Sequence, residues 1–335
     1  MTQEQPARAR RFTWAKLDKF TLMLLGTLLL ATILPARGGY VPVVDGLGRV
    51  LVVLLFFIHG ARMPREAVTG ALKQWKLQLL MLLSTFALFP LIGLALGPAS
   101  GRAIDPALYT GLLFLCCLPS TVQSSIALTS IAKGNVPAAV CGAAASNLAG
   151  VLLTPLLTAL LLASQSVMSF DAVWTIIGLI LVPFALGQML HGKLGGWLSR
   201  HKPLATFVDR GSILVVVYAA FGKAVVGGLW STISAVDLAM LIFLCFTMLV
   251  LVILILRFVA KLAGLPLPDE AALVFCGSVK SLATGVPMAS VLFPAALVGA
   301  IVLPLMIFHQ VQLLACAFLA RAYERRATKT ESTGG

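Results

Sequence analysis

The chain has 335 residues, 59% of them hydrophobic and 11% charged, with 25 Lys and Arg against 12 Asp and Glu for a formal net charge of +13. A mean hydropathy of +1.00 lies far above that of a soluble domain and marks a membrane protein. At about 20 residues per bilayer crossing, the length has room for roughly ten helices and excludes a large soluble catalytic domain.

The first apolar run, 20–36, follows Arg8, Arg10, Arg11, Lys16 and Lys19. The segment Leu34-Pro-Ala-Arg37 is only a loose match to a signal cleavage site, and more apolar runs follow, so the run reads as a retained span. Further spans are expected at 44–60, 77–97, 108–132, 136–163, 172–191, 210–229, 237–260, 271–292 and 294–319. The expected fold is an all-α membrane protein of ten transmembrane helices. With the N-terminus in the cytoplasm, 20 of the 25 Lys and Arg fall on or beside the cytoplasmic side, and the outer loops hold Arg37, Arg49 and Arg102. The positive-inside rule therefore places both termini inside. The six Cys lie in or beside apolar runs without the spacing of a zinc site or a disulfide scaffold, as buried small residues do.

The expected organisation is a cytoplasmic tail at 1–19, five helices over 20–163, an outer connection at 164–171, five more over 172–320, and a cytoplasmic tail at 321–335. Sliding the chain against itself by 157 residues matches seven of 21 positions from Val122 to Gly142, including Val122 with Val279 and Pro137 with Pro294. Five is odd, so the second half enters the membrane with the opposite orientation. That is an inverted-topology repeat, a plan common among secondary transporters.

Each half puts its most polar, helix-breaking segment in its fourth span: Leu118-Pro-Ser-Thr-Val-Gln-Ser-Ser125 and Gly277-Ser-Val-Lys-Ser-Leu-Ala-Thr-Gly-Val-Pro287. A break at membrane depth leaves backbone N–H and C=O groups unpaired, and these are tolerated only where protein, ion or substrate satisfies them. Pro119 has no N–H, while Ser120, Thr121, Gln123, Ser124 and Ser125 supply hydroxyls and an amide around the gap.

These segments resemble the bile acid:sodium symporter family, and within it the symporter-like bacterial branch related to human solute carrier family 10 member 7. The likeness spans about 14 to 320 and is carried by Cys116–Asn135, by Ala145-Ser-Asn-Leu-Ala149 leading to Leu153-Thr-Pro155, and by Gly277-Ser-Val-Lys-Ser281. The resemblance implies a panel domain (spans 1, 2, 6 and 7) and a core domain (spans 3 to 5 and 8 to 10), with broken helices 4 and 9 crossing beside sodium sites. It also implies an organic anion between the domains and a bacterial inner-membrane location. Carried over by motif, the candidate substrate and ion positions are Ser124, Ser125, Ser146, Asn147, Ser278, Lys280 and Ser281, with a sodium ion near Ser124, Ser125, Ser146 and Asn147. Pro119, Ser120, Thr121, Gln123 and Thr284 join them from the breaks, and His309 and Gln310 from a polar patch in the tenth span.

One departure matters. Bile-acid transporting members have an acidic residue ahead of a Gln-Asn pair in span 9, where this chain reads Phe275-Cys-Gly-Ser-Val-Lys280. Lys280 is expected either to replace one sodium as a fixed cation that draws an anion, or to exchange a proton, a role also open to His309. Lys223 is expected to snorkel toward the outer surface, and His59 to sit at the cytoplasmic interface.

The leading functional expectation is a symporter of a small or amphipathic organic anion coupled to sodium, with proton coupling or a non-transporting regulatory role as alternatives. Sodium aside, no cofactor is implied. The expected partners are the solute and membrane lipid, with no nucleic acid, and the chain is expected to be a monomer or weak homo-oligomer. No Gly-x-Ser-x-Gly, His-Glu-x-x-His or Gly-x-x-x-x-Gly-Lys-Ser/Thr motif is present to suggest an enzyme or ATP-driven pump.

Overall fold

A computed structural model describes residues 19–62, 74–97, 104–162 and 177–333. Residues 1–18 of the expected tail at 1–19, the connection at 164–171 and the start of the sixth span lie outside the described residues. The helices are α1 (Lys19–Ile33), α2 (Tyr40–Arg62), α3 (Trp75–Ala95), α4 (Pro106–Cys117), α5 (Val122–Ile131), α6 (Val136–Leu162) and α7 (Ile177–Met189). They continue with α8 (His191–Arg200), α9 (Lys202–Val226), α10 (Leu229–Thr232), α11 (Ala235–Leu262), α12 (Leu267–Gly277), α13 (Leu282–Leu292) and α14 (Ala295–Thr333).

Seven helices, counting α12 with α13 as one, are long and apolar enough to cross a membrane. The bent pairs α4 with α5 (65°) and α7 with α8 (89°) bring the number among the described residues to at most nine. The sequence predicts ten; the remaining one, α1, is described only from Lys19, and its described apolar stretch is Leu22–Ile33.

Local chemistry explains the element ends. Asp105 caps α4 by accepting from the Ala107 N–H at 2.8 Å, with Pro106 in the first turn where its missing N–H costs nothing. Leu118 precedes a proline and is pushed into extended geometry (φ −76°, ψ 152°), which stops α4. Ser234 and Asp237 form a reciprocal capping box at the start of α11. Phe293, before Pro294, likewise ends α13 in extended geometry. The expected tail at 321–335 differs: α14 continues to Thr333, because strong helix formers without Gly or Pro follow Pro304 up to that point. Tyr323 on this extension donates to Glu270, with Arg257 and Arg326 beside the ring.

The helices pack in two groups. In one, α1 and α2 lie on α9, and α2 lies on α7 and α8. In the other, α3 to α6 pack with α11 to α14. The groups meet mainly where α9 lies against α13 and α14. Small residues set the closest contacts, as membrane helices require in the absence of a strong hydrophobic drive. A Cβ on Gly60 would come within 2.1 Å of the Phe184 carbonyl, and one on Gly187 within 2.0 Å of the Phe57 carbonyl. Where α9 meets α14, a Cβ on Gly299 would come within 2.3 Å of the Ala224 Cβ, so this end of the interface is closed.

Lys223 does not snorkel alone. It pairs with Asp45 of α2, and the two side chains are about equally half-buried. The acidic partner comes from the second turn of α2, so burial of the lysine is compensated by an opposite charge.

Candidate functional site

The two breaks share one construction. The second begins 160 residues after the first (Leu118 against Ser278), three more than the ungapped alignment predicts, so Ser120 corresponds to Lys280. Each of these central residues is clamped through its backbone by the following helix. The Ser120 N–H donates to Ser146 Oγ at 3.0 Å, and Asn147 Nδ2 donates to the Ser120 carbonyl at 2.9 Å. The Lys280 N–H donates to Gln312 Oε1 at 2.8 Å, and Gln312 Nε2 donates to the Lys280 carbonyl at 3.0 Å. The breaks also join directly, Ser281 N–H donating to the Pro119 carbonyl at 2.9 Å.

Other freed carbonyls find partners as well, as buried backbone groups must. Thr154 donates to Cys117 and Ser84 to Gly277, both at 2.8 Å. Lys280 closes the account. Its side chain is wholly buried, and Nζ donates to the carbonyls of Thr85, Cys116 and Leu118, each at 2.8 Å. The Phe89 ring lies 4.1 Å from the ammonium, a cation–π contact. The ammonium thus sits at the C-terminal end of α4, where unpaired carbonyls and the helix dipole both favour positive charge.

A cavity of about 590 Å³ lies between the two helix groups. Among the expected site residues, Thr121, Gln123, Ser124, Asn147, Ser281, Thr284 and His309 line it. Thr121 and Ser124 share a hydroxyl contact, Thr284 donates to Asn147 Oδ1 at 3.3 Å, and Ser281 and Thr284 hydroxyls lie 2.8 Å apart. His309 Nδ1 is 2.9 Å from Gln312 Nε2, linking the cavity wall to the Lys280 clamp. Pro119, Ser120, Ser125, Ser146, Ser278 and Lys280 are buried in the supporting layer instead, and Gln310 is half-buried outside the lining. Ser120 and Ser125 hydroxyls meet at 3.2 Å, Ser125 donates to the Thr121 carbonyl at 2.6 Å, and Ser278 lies 4.0 Å from Cys316 Sγ.

The facing wall holds residues that sequence reasoning did not assign to the site. His59 and Arg62 of α2, Asp209 and Arg210 of α9, Phe20 of α1 and Phe184 of α7 all line the cavity. His59 Nε2 is 3.2 Å from Asp209 Oδ1, and the two side chains are 28% and 12% exposed. His59 is thus the partner of this buried carboxylate oxygen, in an off-line geometry that leaves the contact weak. The sequence held a signal for this cluster, a His and an Arg three residues apart at the end of one span and an Asp-Arg pair at the start of another. It gave no sign that the two span ends face each other.

The arrangement is a largely apolar cavity, with hydroxyls and amides on its wall, beside two helix breaks that hydrogen-bond to each other. The SBF-like CPA transporter family matches residues 18–325. The chain belongs to this family. An SBF-like relative of Pseudomonas aeruginosa, uncharacterized protein PA2026, is 50% identical over 311 residues, 92% of this chain and 93% of its own. The candidate symporter YfeH of Escherichia coli is 45% identical over 317 residues, 94% and 96% of the two chains. Sodium/bile acid cotransporter 7-A of Xenopus laevis is 32% identical over 271 residues, 79% and 78%. As an SBF-like protein with multiple apolar helices, the chain is a multi-pass membrane transporter.

Proposed function

We propose that this transporter is a symporter that carries a small or amphipathic organic anion by alternating access, with sodium as the coupling ion. The observation that carries the reading is the cavity between the helix groups, into which hydroxyls and amides from both breaks emerge. In this reading the ten helices form two inverted five-helix repeats. The panel is α1, α2, α7 and α9, and the core is α3 to α6 with α11 to α14. On the same reading the charged end of the cavity, at Arg62 and Arg210, faces the cytoplasm of a bacterial inner membrane by the positive-inside rule.

Sodium coupling is supported by the similarity to sodium/bile acid cotransporter 7-A. The oxygens offered by Ser124, Ser125, Ser146 and Asn147 are hard donors suited to an alkali cation, although this set contains no carboxylate. At the crossing itself, the Lys280 ammonium gathers three carbonyls as a bound cation would. One observation favours proton coupling as a second reading: His309 lines the cavity and contacts the glutamine that clamps Lys280.

The test is uptake of taurocholate and of shorter alkyl carboxylates by proteoliposomes under a sodium, potassium or pH gradient. Saturable accumulation driven by sodium is expected. Accumulation driven only by the pH gradient moves coupling to the second reading, and binding without flux overturns transport.

A further inference from the structure

One of the two expectations for Lys280 gave it the attraction of the anion, but its ammonium is sealed among three carbonyls and is not part of the cavity wall. The cationic groups that line the cavity are Arg62 and Arg210. Neither guanidinium makes an ion pair or hydrogen bond among the described residues, and both act electrostatically on the Asp209 carboxylate between them. Arg210 rests over the Phe20 ring, 5.3 Å from its centroid, an arrangement that holds its planar group without using its donors.

Two guanidiniums and one carboxylate leave a surplus positive charge even with His59 neutral. A sodium ion is repelled by such a surface and an oxyanion is attracted to it. The Asp209 carboxylate, only weakly engaged by His59, adds acceptor capacity suited to a hydroxyl or amide hydrogen on the same solute. Phe56, Phe184 and Ile213 supply the apolar body of the wall.

The geometry points to Arg62 and Arg210 as the specificity-determining residues of the cavity, receiving the carboxylate, sulfonate or phosphate of an amphipathic solute while Asp209 serves as their resident counter-ion. This deepens the anion-symport reading and rests on it for the role of the cavity. Under it the two walls do different work. The α2 and α9 wall reads charge, and the wall at the breaks reads hydrogen-bonding groups.

The field of the cavity can be measured without knowing the solute. Ala127→Cys places a thiol on the cavity wall contributed by α5. In the full chain in nanodiscs, its reaction with the anionic reagent sulfonatoethyl methanethiosulfonate is compared with that of the cationic trimethylammonioethyl analogue. Both rates are normalised to a small thiol in solution and corrected with the chain lacking Ala127→Cys. The anionic reagent is expected to be favoured by about tenfold. R62Q/R210Q should remove the preference, R62K/R210K should keep it, and D209N should raise it. A preference that survives R62Q/R210Q, or a wild-type cavity without one, overturns the assignment. Because the readout uses no transported solute, it can fail while anion uptake persists and hold while uptake fails, which separates it from the symport reading.

Discussion

A buried ammonium is stable in a membrane only if every donor is used, since the desolvation cost of an unpaired ion is several kcal/mol. Lys280 meets that demand with three backbone carbonyls and an aromatic face. Its role is therefore first to hold the end of α4 against the crossing. Lys280→Met keeps the length and removes the donors, leaving three buried acceptors unpaired at about 1–3 kcal/mol each. Thermal unfolding in detergent should show a large fall in midpoint. Lys280→Arg should also destabilise, because a planar fork cannot converge on three carbonyls as a rotating ammonium does. Unchanged midpoints in both would refute this account. The sequence made the lysine conspicuous, as an ionisable group among Ser278, Val279 and Ser281 in an apolar run. It could not show where the side chain points, because its acceptors are main-chain atoms of helices more than a hundred residues away.

At the scale of elements, the breaks were the most legible feature. Pro119 has no N–H and forces Leu118 out of helical geometry, and Ser281 supplies a ready cap for α13 by accepting from the Thr284 N–H at 3.2 Å. Both effects are local, so the residues alone announce them. The pairing of α2 with α7 was not legible in this way. Gly60 and Gly187 look like ordinary glycines in apolar runs, and only their mutual approach gives them meaning. The same holds for His59 and Asp209, whose positions near span ends suit the interface as well as a cavity. Gly187→Val would drive a side chain into the Phe57 carbonyl and should cost about 1–3 kcal/mol by overpacking, or more if the backbone cannot yield. A lowered unfolding midpoint checks this, and wild-type stability would show that the two helices part easily.

For the molecule as a whole, the proposed inverted repeat makes a topological prediction. Accessibility tags at 98–107 and 192–206 should report opposite faces of the membrane, the latter on the same side as Arg62. Tags on one side would break the repeat. Composition was sufficient to identify a membrane protein and the charge bias to suggest its orientation, because both are sums over many residues. The two packed groups were not derivable from those sums, since they depend on which helix faces meet.

The hydrogen bond from Ser281 to the Pro119 carbonyl couples the two breaks through the peptide backbone itself. Replacements other than Ser281→Pro, which removes the N–H, leave that donor in place, and neither half-helix can shift along the other without rupturing the bond. Together with the Lys280, Ser146 and Gln312 contacts it ties the breaks into one unit. Under the proposed symport, a solute seated on that unit would keep its footing while the opposite wall changes around it. Carriage and charge discrimination then reside on separate helices, so the arginine-bearing surface could be exchanged to admit a different cargo without rebuilding the joint that bears it.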